Sequence, residues 1–224
     1  MMMRKLEICC DASQRTFQES HRTFTCAGAI SLDTNAIRYK ILPDSTNNQG
    51  ELLGVYLACE LALMEKANHP MEYEDEVNIY CDSQVAVFGL TQWIDKWLIA
   101  QEACGVMLGY NSKEIVNANM YQMIITFCTI NNLNINLMNQ KGHVKINNRI
   151  SLAQANAQFY KANGFHLTVA KLIQISEYNN TIDQFTRKQL DNVDLNLYPI
   201  AYHSSNGVQM IRYKIPDNYK NFIH

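Results

Sequence analysis

The stretch 80-YCDSQVAVFGLTQWIDKW-97 decides how this chain is read. Val77, Ile79 and Tyr80 form an apolar run that reads as a buried strand, and it ends on a carboxylate, Asp82. Ser83-Gln84 then turns into a helical pattern with two tryptophans, Trp93 and Trp97. A charge at the end of a buried strand is costly unless something uses it. The same arrangement recurs. Leu6, Ile8 and Cys10 alternate with Glu7 and Cys9 and run into Asp11, while Glu51 opens a long helical pattern just after Thr46-Asn47-Asn48.

Around these acids the order of elements is α/β. Residues 23–32 and 36–42 read as two strands joined at Asp33-Thr34-Asn35, and 12–22 reads as a polar loop. A helix over 51–67, the strand ending at Asp82, helical pattern from 84 to about 130, and a strand over 134–140 follow. Helices are then expected in "SLAQANAQFYKA", "TVAKLIQISEY" and "NTIDQFTRKQL", with strand-like pieces in "YPIAYH" and "VQMIRYKI". In such a sheet the first and fourth strands can lie side by side, with Glu51 presented across their ends. Carboxylates a few ångströms apart repel by about 4 kcal/mol per pair at intermediate dielectric. An oxygen-only set of that charge suits Mg²⁺ or Mn²⁺. Two such ions about 4 Å apart can activate a water and stabilise a leaving oxygen in phosphodiester cleavage.

Composition narrows the class further. The 224 residues are 47% hydrophobic and 18% charged, enough for a packed core. A net charge of −2 provides no global attraction for polyanions, so any nucleic acid must be held by local patches or bound cations. Seven cysteines without CxxC spacing read as reduced thiols, mostly in the core. The absence of a long apolar stretch sets the expectation of a cytoplasmic or nucleoid-accessible monomer with no membrane partner.

Together, "EICCDAS", "STNNQGELLGVYLACELAL", "CDSQVAVFGLTQWIDKW" and "QKGH" resemble ribonuclease H of type 1, from about residue 5 to 143 and again from 179. The resemblance implies a ribonuclease H-like α/β fold: a mixed five-stranded sheet flanked by helices. Here a helical insertion at about 144–178 and a C-terminal appendage at 195–224 would be added to a domain spanning 1–194. It implies an endonuclease that cuts the RNA strand of RNA/DNA hybrids with two Mg²⁺ ions, leaving 5′-phosphate and 3′-hydroxyl ends. The implied ligands are Asp11, Glu51, Asp82 and a fourth acid in an Asn-x-x-x-Asp pattern opening the last helix. Asn179 and Asp183 fit that pattern, with Glu177 as the alternative. His143 matches the family's mobile histidine, suited to moving a proton near neutral pH. Asn47, Asn48 and Gln84 match positions that read 2′-hydroxyls, Trp93 the aromatic on the DNA strand, and Thr46 with Asn117 the DNA phosphate pocket.

Two departures stand out. Where many bacterial members carry a basic protrusion, "LIAQEACGVMLGYNSKE" is nearly apolar, and Pro43-Asp44 replaces an arginine found beside the phosphate pocket in some members. The rival functions are a catalytically weak or inactive hybrid- or duplex-binding module, another nuclease of the same superfold, and an accessory role for 144–224.

Overall fold

The computed structural model describes residues 4–18, 20–70, 73–198, 203–204 and 207–208. They fall in two compact units, Met1–Asn192 and Val193–His224. The first unit is built on a five-stranded sheet in the order β3-β2-β1-β4-β5. Its strands are β1 (Arg4–Phe17), β2 (Arg22–Ser31), β3 (Ile37–Pro43), β4 (Tyr73–Cys81) and β5 (Asn134–Asn139). β1, β2 and β3 pair antiparallel, whereas β1–β4 and β4–β5 are parallel, so the sheet is mixed as expected.

Strand alternation sends side chains to two cores. Leu6, Ile8 and Cys10 of β1, with Val77 and Ile79 of β4, meet α1 (Asn47–Asn68) on one face. The same core holds α4 (Ala118–Ile130) and the run from α2 (Gln84–Phe88) through a π-helical turn (Gly89–Trp93) into α3 (Ile94–Cys104). Cys9, Ile30, Tyr80 and Met138 face the other side. There Phe159 of α5 (Arg149–Asn163) and Ile175 and Ile182 of α6 (Val169–Asp191) cover them.

Three expectations are corrected. The polar run 12–17 is strand: β1 continues past Asp11 and pairs with β2 as far as Phe17↔Arg22. Asp11 therefore marks the end of the parallel ladder with β4, whose last pair is Cys10↔Cys81, and not the end of its strand. The two helices expected over 168–190 are one, α6, so Asp183 lies deep within it and not in a first turn.

α6 is fixed along β1 at three levels. Lys171 pairs with Glu7, Ser13 Oγ lies 2.9 Å from Thr186 Oγ1, and Arg15 pairs with Asp191. Eight strand residues and twenty helix residues span ~26 Å and ~30 Å respectively, so both elements match along the length between these contacts. Close approach needs Gly28, opposite Asp11 on β2: a Cβ there would meet Ile182 Cδ1 at 2.8 Å.

In the second unit, Leu195–Leu197 forms a 3-10 turn, and His203–Ser204 pairs antiparallel with Gly207–Val208. The rest of the strand-like pieces in "YPIAYH" and "VQMIRYKI" lies outside the described residues. All seven cysteines are free, five of them buried, with Cys104 exposed. Among the described residues, no helix is long and apolar enough to cross a membrane.

Candidate active site

Where the β1–β4 ladder ends, four elements converge on an open cleft of ≈ 490 Å³. It is lined by Asp11 from β1, Glu51 from α1, Asp82 just beyond β4 and Asp183 from α6, together with His143, Asn47 and Arg187. All four acids and the histidine expected from the sequence are thus brought together. Glu177 is exposed and is absent from the cleft lining; six residues from Asp183, it points about 120° away around α6.

Each acid is held by its neighbours. The Asp11 carboxylate accepts from the Ala12 amide at 2.7 Å, and Asn47 Nδ2 donates to Glu51 Oε1 at 3.2 Å. Asp183 Oδ1 accepts from Ser13 Oγ at 3.2 Å and from Arg187 Nε at 2.8 Å, while His143 Nδ1 stands 3.9 Å from Asp183 Oδ2. Behind Asp82, Asn139 Nδ2 donates to the Cys81 and Asp82 carbonyls, both at 3.2 Å. Asn163 of α5 clasps the backbone of Asn139 through its N–H and C=O, at 3.0 and 2.8 Å. The helix α5 therefore steadies the strand end that carries the site.

Electrostatics records the crowding. Burial, then the Asp82 charge, pushes Asp11 up to about 8, and burial, then Asp11 and Asp82, pushes Glu51 up to about 9. Asp82 is raised by burial, with His143 opposing the shift. The Asn179 amide also acts to lower Asp82, although its Nδ2 completes no hydrogen bond.

This donor set fits a divalent cation. Glu51 Oε2 is buried and has no hydrogen-bond partner, and Glu51 and Asp82 place ligand oxygens within 4.8 Å of each other. Cys81 Sγ falls in the same group. A hydrogen bond with Cys10, then burial, holds that thiol well above its usual range, so it stays neutral and leaves coordination to oxygen.

The loop that carries His143 is closely fitted. A Cβ at Gly142 would overlap Asp82 Oδ2. Gly142→Ala is therefore expected to displace either Asp82 or His143 while the core stays folded. Any reaction carried out in this cleft should slow by about 10²-fold, the scale of a 1 Å misplacement, with an unchanged urea midpoint. A variant as active as wild type would contradict the contact.

The remaining expected residues are not among those that line the cleft. Thr46 caps α1 in a reciprocal capping box with Gln49, and Asn117 precedes α4 in a left-handed conformation, φ 64°. These two helices pack on each other. Asn48 and Gln84 are exposed at the starts of α1 and α2. Trp93 is exposed at the end of the π-helical turn, tilted against buried Trp97 at a centroid distance of 5.9 Å. In the apolar segment that follows, Met107 is buried whereas Ile99 and Tyr110 face solvent. Asp44 is gripped by Arg22 at 3.0 and 2.6 Å. Sequence reasoning missed Ser13 and Arg187. Arg187 could have been found, since it stands one helical turn after Asp183.

Among solved structures, the foamy viral protease-reverse transcriptase in complex with dsDNA is similar over 71% of this chain and 96% of that chain, at 16% identity and a TM-score of 0.46. The PFV RNase H domain in solution is similar over 71% of this chain and 92% of that one, at 18% identity and a TM-score of 0.46. No curated protein matches. The family model for RNase H matches residues 3–159, a span that contains Asp11, Glu51, Asp82 and His143, and the chain belongs to the RNase H family.

Proposed function

We propose that this protein is an endoribonuclease that hydrolyses the RNA strand of RNA/DNA hybrids, leaving 5′-phosphate and 3′-hydroxyl ends. The observation that carries the reading is the convergence of Asp11, Glu51, Asp82 and Asp183 in one open cleft of an RNase H family chain. These four would hold the divalent ions, two Mg²⁺ or Mn²⁺. Bound there, such ions supply activation of the attacking water and stabilisation of the departing oxygen.

The chain's own groups do the rest. Asn47 orients Glu51, and Ser13 and Arg187 fix the Asp183 carboxylate by both donating to Oδ1. His143 sits at the exposed lip of the cleft, where it takes up or returns a proton as product leaves. Asn47, Asn48 and Gln84 present amides toward the minor groove, where 2′-hydroxyls mark the RNA strand. Trp93 offers a flat apolar face to deoxyribose, and Thr46 with Asn117 takes a DNA phosphate at two helix N-termini. Residues 144–178 are an insertion ahead of Asp183, and the domain closes near 194. The reading is tested by offering one sequence as RNA/DNA hybrid, DNA duplex and RNA duplex: cleavage confined to the RNA of the hybrid is expected, and cleavage of the DNA duplex would exclude it.

The raised acids add a pH signature. In chelator the folded protein keeps protons on Asp11 and Glu51, whose ordinary values are 3.8 and 4.5, up to about 8 and about 9. The folded state then binds more protons than the unfolded chain, so stability falls as pH rises through that window. Mg²⁺ should reverse the loss. Its stabilisation at one hundred times Kd is about 2.7 kcal/mol, or about 5–10 °C in Tm for a domain of this size. The Mg²⁺-induced rise in Tm should therefore be larger at about pH 9 than at about pH 5.5. Equal rises at both would contradict a cation site made of these acids.

A further inference from the structure

Charge is unevenly divided along the chain. The net charge is −2, yet residues 141–176 contain Lys141, Lys145, Arg149, Lys161 and Lys171 and no aspartate or glutamate. The segment begins at the cleft, since His143 lines it. Over 98–117, Lys113 is the sole cation, and Glu102 and Glu114 outweigh it.

Most cations elsewhere in the first unit are engaged, among them Arg4 with Asp33, Lys5 with Glu76, Arg15 with Asp191, Arg22 with Asp44, Arg38 with Glu60 and Arg187 with Asp183, and within the segment Lys171 pairs with Glu7. Among the described residues, no acidic or hydrogen-bonding partner engages the side chains of Lys141, Lys145 or Arg149. Lys145 and Arg149 are exposed.

Their backbone is nevertheless fixed. Val144 is buried against Ala155 of α5 and Leu172 of α6. The Lys145 amide donates to Ser151 Oγ at 3.0 Å, and the Asn148 amide donates to the Lys145 carbonyl at 3.0 Å. Asn148 Oδ1 then caps α5 by accepting from Ile150 and Ser151. This turn brings Asn148 and Ser151, on either side of Arg149, back against the Lys145 backbone, with Lys145 two and Arg149 six residues from His143. Two free cations on a pre-ordered turn beside a phosphodiester-cutting cleft suit a polyanion that extends past the cut.

We propose that Lys145 and Arg149 form a second backbone grip, binding phosphates of the hybrid where it leaves the cleft on the His143 side. This rests on the hybrid-cutting reading above. Phosphate contacts of this kind position a duplex without reading its sequence. They release counterions, so each adds about 0.9 to the slope of log K against log salt.

The test measures hybrid binding by the full chain in chelator, where cleavage is off, across a range of salt, alongside steady-state cleavage in Mg²⁺. Lys145→Gln/Arg149→Gln should lower the salt slope by about 2 and raise KM several-fold, with kcat and Tm unchanged. Lys161→Gln, at the far end of α5, serves as the charge control and should change neither. A double variant with the wild-type slope and KM overturns the grip while leaving wild-type cleavage, and so the reading, intact. A wild type that binds but does not cut overturns the cleavage reading, and the slope then decides the grip by itself. A wild type that neither binds nor cuts overturns both.

Discussion

Asp82→Asn is expected to cost about 10³-fold in hybrid cleavage, the upper end of what losing one electrostatic stabiliser does, while making the metal-free protein more stable. Asp82 raises both Asp11 and Glu51, and burial raises it in turn. Removing its charge relieves that repulsion in the absence of cations but deletes a ligand when they are present. The opposite signs are the point of the experiment. A purely structural Asp82 would lose activity only by losing stability. In chelator at about pH 9, Tm should rise by a few degrees, since about 1 kcal/mol corresponds to about 2–4 °C in a domain of this size. A variant that is both inactive and less stable would contradict this role.

Asp183→Asn is expected to cost about 10²-fold in Mg²⁺ with α6 in place. The aspartate lies beyond the span matched by the family model, so its part rests on position alone. It accepts from Ser13 and Arg187 through the same oxygen, leaving Oδ2 toward His143 and the cleft. An asparagine can keep one acceptor on Ser13 and Arg187 but turns an NH₂ toward a site built for cations. Helix content should stay unchanged, because Lys171–Glu7 and Arg15–Asp191 hold both ends of α6 independently. Full activity in this variant would remove Asp183 from the site. Glu177→Gln, exposed on another face, should behave as wild type in the same assay.

Much of this was legible in the sequence, for identifiable reasons. β4 ends in the apolar residues Val77, Ile79, Tyr80 and Cys81, and α1 carries helical apolar spacing after a polar turn, so Asp82 and Glu51 could be placed near their ends from spacing alone. β1 beyond Asp11 could not. Ser13, Gln14, Arg15 and Thr16 are polar because that part of the strand pairs with β2 alone, and it leaves 14–16 exposed. Reading it as loop also hid Ser13, whose hydroxyl alternates onto the same face as Asp11 and reaches Asp183. The break expected before Asn179-Asn180-Thr181 reflects poor helix formers. Tertiary contacts override them: Asn179 is buried and accepts from Gln140 Nε2 at 2.6 Å, and Thr181 Oγ1 bonds back to the Glu177 carbonyl. That Asp183 sits across from Asp11 depends on Gly28 and on how closely α6 approaches the sheet, which no local pattern encodes.

The most direct measurement is cleavage of an RNA/DNA hybrid, labelled on the RNA strand, by wild type and Asp82→Asn in Mg²⁺ and in chelator. The account predicts internal cuts in RNA by wild type with Mg²⁺, products ending in 5′-phosphate and 3′-hydroxyl, no cuts in chelator, and cutting by the variant slowed by about 10³-fold. Intact RNA with wild type in both Mg²⁺ and Mn²⁺, or cleavage that persists in chelator, would contradict it.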